Sequence, residues 1–214
     1  MKKAQRILVN CLLGVLACMF LVGVSSPAFS RVPSSSAQTV SQADSLPDTL
    51  QSLATNLNDA KAVLLAQGAS SERLMSYGAI LRPYNVVPKA PMASDKGSPR
   101  GAVGAVLAGD RLIVRGSFKN LSSALRNYAT DPVNPPNPNI TSAFHIHRGM
   151  PTENGPFQYA LEVMLDGTGM GGMAMGEYTL TAEQLQALNN GMLYVDIHTT
   201  KNRAGELRGI LMPY

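Results

Sequence analysis

From Tyr77 onward, apolar and polar residues alternate with a period of two, and nothing else in the 214-residue chain constrains its fold as much. A period of two belongs to strands with one face turned inward and one outward. Such runs cover residues 77–82, 101–107, 111–118, 141–147, 157–165, 173–180, 192–199 and 206–212. Turn formers separate them at Gly109-Asp110, 132–138, 149–155, 167–172 and Asn189-Asn190-Gly191. Many short strands at this spacing predict an all-β antiparallel sandwich or barrel. One short helix interrupts the series at 181–185, where Thr181 and Gln184 have the spacing of a capping box.

The first half of the chain has a different texture. Lys2, Lys3 and Arg6 precede an apolar run over 7–24, and the small residues Ser25 to Ser30 follow it. This is the pattern of a secretory signal peptide, with cleavage expected after Ser30. A retained membrane anchor is the alternative reading of an apolar run this long. Lipidation at Cys18 fits less well, because the apolar run continues past the cysteine. Removing residues 1–30 leaves fifteen basic residues against fourteen acidic ones and takes away both cysteines, Cys11 and Cys18. No basic footprint for nucleic acid remains, and neither does a disulfide or a thiolate. Stability then has to come from a packed core, for which the remaining length suffices.

Residues 31–45 are Ser-rich and read as a flexible linker. An amphipathic helix is predicted over 46–68: Leu46, Leu50, Leu53, Leu57, Ala60 and Leu64 recur at steps of four and three, and Gly68 is its stop. So short a stripe packs on its own domain; a partner helix or a dimer seam is the alternative.

The three histidines all fall in two of the strands. In Ala143-Phe144-His145-Ile146-His147, alternation puts Phe144 and Ile146 on one face and both histidines on the other. In the 192–199 run, Leu193, Val195 and Ile197 face inward, so Tyr194, Asp196 and His198 share the opposite face. Residues i and i+2 are about 6.6 Å apart along a strand and cross-strand neighbours about 5 Å, so adjacent strands would collect three imidazoles and a carboxylate. Imidazole suits zinc and copper, and three histidines leave a position open. The alternative is a hydrogen-bonded network without metal, completed by Tyr194, Glu206 and Arg208. Arg208 would oppose a nearby cation unless a carboxylate neutralised it.

Met170, Met173 and Met175 form a second, weaker candidate, since thioethers select Cu(I). A glycine-rich hairpin with packed or exposed methionines is the favoured reading there. Gly167-Thr168-Gly169-Met170-Gly171-Gly172 matches a dinucleotide fingerprint only formally, as no helix follows it. Nucleophile elbow, phosphate loop and His-Glu-x-x-His motif are all missing.

Two motifs carry a family resemblance: Ala143-Phe144-His145-Ile146-His147, and Gly191-Met192-Leu193-Tyr194-Val195-Asp196-Ile197-His198-Thr199 followed by Gly205-Glu206-Leu207-Arg208-Gly209. With 180–185 before the second motif and Val87-Pro88 near the start, residues 77–211 resemble the CHRD domain, a module of chordin and of exported bacterial proteins. Asn85 stands where that family has a glutamate, Asp196 where it commonly has asparagine, and Arg148-Gly149 where it has Gly-Pro. The resemblance implies an immunoglobulin-like sandwich with limited similarity to copper–zinc superoxide dismutase, and it brings no established activity. The further histidines and the disulfide of that enzyme are absent here. The expectation is therefore a secreted or periplasmic, non-catalytic module that binds a protein or surface component and, through its histidines, copper or zinc. A metal-dependent redox enzyme and a purely structural histidine network are the rivals. A membrane is a partner only if the leader is retained or lipidated.

Overall fold

The structure is a computed structural model, and it describes residues 45–89 and 97–214. The leader and almost all of the Ser-rich linker lie outside these residues. Ser45 opens helix α1 (Ser45–Ala66). Ala69 N–H reaches back to Leu64 O and Gly68 N–H to Leu65 O, the paired bonds of a Schellman stop at the expected glycine.

The strands are β1 (Leu74–Leu81), β2 (Arg100–Ala108), β3 (Arg111–Lys119), β4 (Phe144–Arg148), β5 (Phe157–Ala160), β6 (Glu162–Leu165), β7 (Gly172–Thr179), β8 (Leu193–Ile197), β9 (Leu207–Ile210) and β10 (Met212–Pro213). They form two antiparallel sheets, one ordered β10-β1-β2-β3-β7-β6 and one ordered β5-β4-β8-β9. The fold is an all-β sandwich. Its core interleaves Leu81, Val103, Leu107, Leu112 and Val114 from the larger sheet with Phe144, Ile146, Leu193, Val195 and Ile197 from the smaller.

Two of the expected continuous strands are each divided between the sheets. The 157–165 run leaves the smaller sheet after Ala160 and joins the larger at Glu162; the 206–212 run changes sheet between Ile210 and Met212. The residues at these corners, Leu161 and Leu211, are fully buried, and each still donates its N–H to the smaller sheet, at Phe144 O and Leu193 O. Alternation cannot report such a corner, because the side chains keep their period while the hydrogen-bonding partner changes. The expected capping box is present: α2 (Ala182–Asn189) starts with Thr181 and Gln184 bonded reciprocally.

Helix α1 covers the outer face of the larger sheet, packing Leu53, Leu57, Ala60 and Leu64 on Ala102, Val106 and Ile113. Leu46 and Leu50 do not join this seam and are 42% and 47% exposed. Thr49 and Asn56 take the sheet-facing positions instead. Asn56 does so because its amide donates to Ala102 O at 2.9 Å and Ser117 Oγ at 3.1 Å. The helix sits so close that a Cβ on Gly104 would be 2.5 Å from the Leu57 nitrogen. Glycine is required at that contact by the approach of one backbone to another.

Candidate metal centre

Strands β4 and β8 are direct neighbours, with Phe144 opposite Ile197, His145 opposite Asp196 and His147 opposite Tyr194. Arg208 of β9 lies opposite Asp196 on its other side. Since Phe144, Ile146, Val195 and Ile197 fill the core, the pleat sends His145, His147, Asp196 and Arg208 to the far side of the sheet. His198 follows β8 directly, tied by its N–H to Ala143 O at 2.9 Å.

The expected polar surface is a buried layer. His145, Asp196 and Arg208 are each about 1% exposed, and His198 is 8% exposed. The loops around Tyr128 and around Gly155 close over the sheet. Tyr128 stands 5.3 Å from His145 and 6.2 Å from His198 between ring centroids. Phe157 meets His145 edge-on at 5.3 Å, and Tyr194 stacks on His147 at 5.1 Å.

Each histidine has one ring nitrogen fixed by a backbone carbonyl. His145 Nε2 donates to Ser142 O at 2.7 Å, His147 Nδ1 to Gly155 O at 3.0 Å, and His198 Nδ1 to Arg203 O at 2.9 Å. These bonds set the tautomers. They leave His145 Nδ1, His147 Nε2 and His198 Nε2 turned toward one atom, Asp196 Oδ1, at 4.0, 3.2 and 3.0 Å. One ligand atom from each of the four residues lies within 4.8 Å of every other. The Gly155 carbonyl reaches His147 because its chain passes very close to β4. A Cβ there would lie 1.9 Å from Arg148 O.

Four electron-pair donors converging in a buried space repel one another unless a cation sits among them. Without metal, a proton takes that part. Burial works against charging His198, but the adjoining Asp196 carboxylate and the Arg203 carbonyl outweigh it and raise the pKa. Burial likewise opposes the charge of Asp196, yet His198 and His147 hold its pKa well below the usual carboxylate range. Burial, reinforced by His198, pushes His145 down to about 3, so it remains a neutral donor. His147 Nε2 is buried and completes no hydrogen bond. The set fits a metal ion chemically, with three neutral imidazoles, one carboxylate and a carbonyl partner behind each ring. A metal bound at about 2.0–2.2 Å spaces its ligands by about 3.3–3.5 Å, so side-chain shifts of about 1 Å would close the set.

Arg208 occupies the other carboxylate oxygen. Its Nη2 lies 3.3 Å from Asp196 Oδ2, and its guanidinium sits 4.1 Å over the Tyr194 ring. It also donates to Glu153 O and Asn154 Oδ1, fastening the loop whose Gly155 carbonyl orients His147. Asn85 donates to the Arg208 carbonyl at 3.0 Å, so the opening segment also braces this strand.

Glu206 does not join the cluster. It precedes β9, where strand alternation no longer fixes its direction, and it accepts from Ser122 N, Ser122 Oγ, Thr199 Oγ1 and Asn202 Nδ2. It clamps two loops together instead. The methionines do not converge either. Met170 packs against the core, Met173 is 57% exposed, and Met175 follows it two residues on in β7 of the other sheet. None of the three is part of the His–Asp group.

Sequence reading missed Phe157, Tyr128 and Arg126. Phe157 has the same parity as Tyr159, which packs against the core, so alternation would put both on one face. A bulge breaks the register: Ile146 pairs with Tyr159 but His147 with Phe157, which turns Phe157 to the histidine side. Tyr128 and Arg126 lie between strands, where no periodicity marks them.

This architecture agrees with the family comparison. The CHRD domain model matches residues 77–211, from within β1 to the residue after β9, and the chain belongs to the CHRD domain family. No curated protein and no solved structure matches it. Among the described residues no helix is long and apolar enough to cross a membrane.

Proposed function

We propose that this chain is an exported, non-catalytic CHRD module that holds one copper or zinc ion through His145, His147, His198 and Asp196, and that it binds an extracytoplasmic protein or surface component. The observation that carries the metal reading is the convergence of three carbonyl-oriented imidazoles on Asp196 Oδ1. His147 Nε2 lies buried 3.2 Å from Asp196 Oδ1 without completing a well-directed hydrogen bond, which leaves its electron pair available to an ion. The nitrogen and oxygen donors, without sulfur, suit zinc or Cu(II). Export rests on the basic, apolar and small-residue succession over 1–30 and on the loss of both cysteines with it.

Titration of the chain with Zn(II), Cu(II) and Cu(I) tests the reading. One tightly bound equivalent, lost in His147→Ala, is the expected result. Absence of binding, with His147→Ala merely melting earlier, would leave the histidines a structural role. Turnover of superoxide or peroxide by the loaded protein would favour a redox enzyme instead.

A further inference from the structure

Tyr128 stands between the histidine cluster and an open cleft of about 1030 Å³. One side of it meets His145 and His198. The other lines the cleft with Leu125, Pro132, Ile140 and Leu161. The cleft also reaches Ser142 and Ala143, whose carbonyls hold the His145 ring and the His198 backbone. The side chains of His147 and His198 keep 14% and 11% exposure, but those of His145 and Asp196 are only 2% and 1% exposed, so an ion that meets the outer rings has no direct path to His145 Nδ1 while the surrounding rings keep these positions.

The residues around Tyr128 are fastened on both sides. The Arg126 guanidinium lies 4.5 Å over the Tyr128 ring, and its Nε is 2.9 Å from Asp131 Oδ2. Arg126 also donates to Pro132 O, and its backbone N–H donates to His198 O. Arg203, whose carbonyl orients His198, pairs with the same Asp131 carboxylate. Asp131 thus neutralises Arg126 and Arg203 and ties the turn to the segment that bears His198. Within that turn, Thr130 and Asp131 both donate to Asn127 O.

We infer that Tyr128 is the gate of the centre and Arg126 its latch: the phenol ring swings into the cleft to admit or release the ion, and Arg126 holds it closed. This rests on the reading of the cluster as a metal site. The ring does the covering; the hydroxyl is no ligand. The cleft of about 1030 Å³ that Tyr128 lines gives the displaced ring a place to go.

The full chain, loaded with one equivalent of Zn(II), is mixed with excess chelator and release is followed in time. Co(II) in place of Zn(II) reports the ligand set through its visible spectrum. Tyr128→Ala and Arg126→Ala should speed release by about 10–100-fold, the scale on which residues behind the ligands act on a metal site. Tyr128→Phe should release at the wild-type rate, and the Co(II) spectrum should be the same in all four proteins. Wild-type release from Tyr128→Ala, or release from Tyr128→Phe as fast as from Tyr128→Ala, would overturn the gate while leaving the metal site standing. A wild-type chain that takes up no metal overturns both. Should Tyr128→Ala fail to fold, Tyr128→Leu takes its place with the same expectation.

Discussion

His145 and Asp196 are directly opposed in the β4–β8 ladder, and the imidazole Nδ1 lies 4.0 Å from the carboxylate Oδ1. The same oxygen is 3.2 Å from His147 and 3.0 Å from His198, while the other oxygen of that carboxylate belongs to Arg208. One aspartate therefore divides the buried layer into a histidine-facing half and an arginine-facing half.

Asp196→Asn keeps the shape and removes the charge that both halves use. Arg208, about 1% exposed, would lose its buried counter-ion. Breaking a buried pair from one side costs about 3–5 kcal/mol. Chemical denaturation of the metal-free variant should show a loss of that order, and titration should show weakened uptake of Zn(II). An unchanged denaturation midpoint would mean that Asp196 does not anchor Arg208.

Glu206 should separate from the cluster in experiment as it does in space. Glu206→Ala strands the donors of Ser122, Thr199 and Asn202, each unsatisfied group costing about 1–3 kcal/mol. The expected outcome is a lower Tm with metal stoichiometry unchanged. Loss of metal at full stability would place Glu206 among the ligands after all.

The metal-free protein should be most stable near pH 6.5. His198 has a raised pKa, so its contribution is complete below about 6.5, the unfolded value, and fades as pH rises through the folded pKa. His145, lowered to about 3, works on the other side. Between about pH 6.5 and 3 the unfolded chain takes up a proton that folded His145 refuses, so stability falls on acidification. The groups around this pair are Asp196, His147, Arg126, Tyr128 and Arg208. Melting curves from pH 5 to 9 test this, and His145→Gln should flatten the acid limb between about pH 6.5 and 5, before most carboxylates titrate. Equal slopes in the two proteins would contradict it.

Gly104→Ala should loosen the helix from the sheet. Its methyl group would meet the Leu57 backbone at 2.5 Å, and overpacking of this kind costs about 1–3 kcal/mol. Limited proteolysis should cut α1 sooner in the variant. If the cutting rate and Tm match the wild type, the contact is not as close as described.

Much of this site is legible in the amino-acid order alone. Alternation assigned Phe144 and Ile146 to the core and the histidines to the far face, and the ladder puts them there. The capping box at Thr181 and the stop at Gly68 were equally readable, since both depend on a few consecutive residues. Phe157 was not, because one inserted residue reverses every face beyond it and leaves composition untouched. Leu46 and Leu50 misled for a related reason: the stripe fixes a helix but not its rotation on the sheet, which Asn56 and Gly104 decide.

Local order in the chain, a repeat of two or of three and four, settled which residues become strand or helix and which side chains travel together. Burial of the histidines, the carbonyl behind each ring, the partition of Asp196 between the histidines and Arg208, and the seat of Tyr128 were settled only by the fold. Each of these joins segments far apart in sequence. A loop such as the one bearing Tyr128 has no period of its own, so its place is dictated by the surface it closes over.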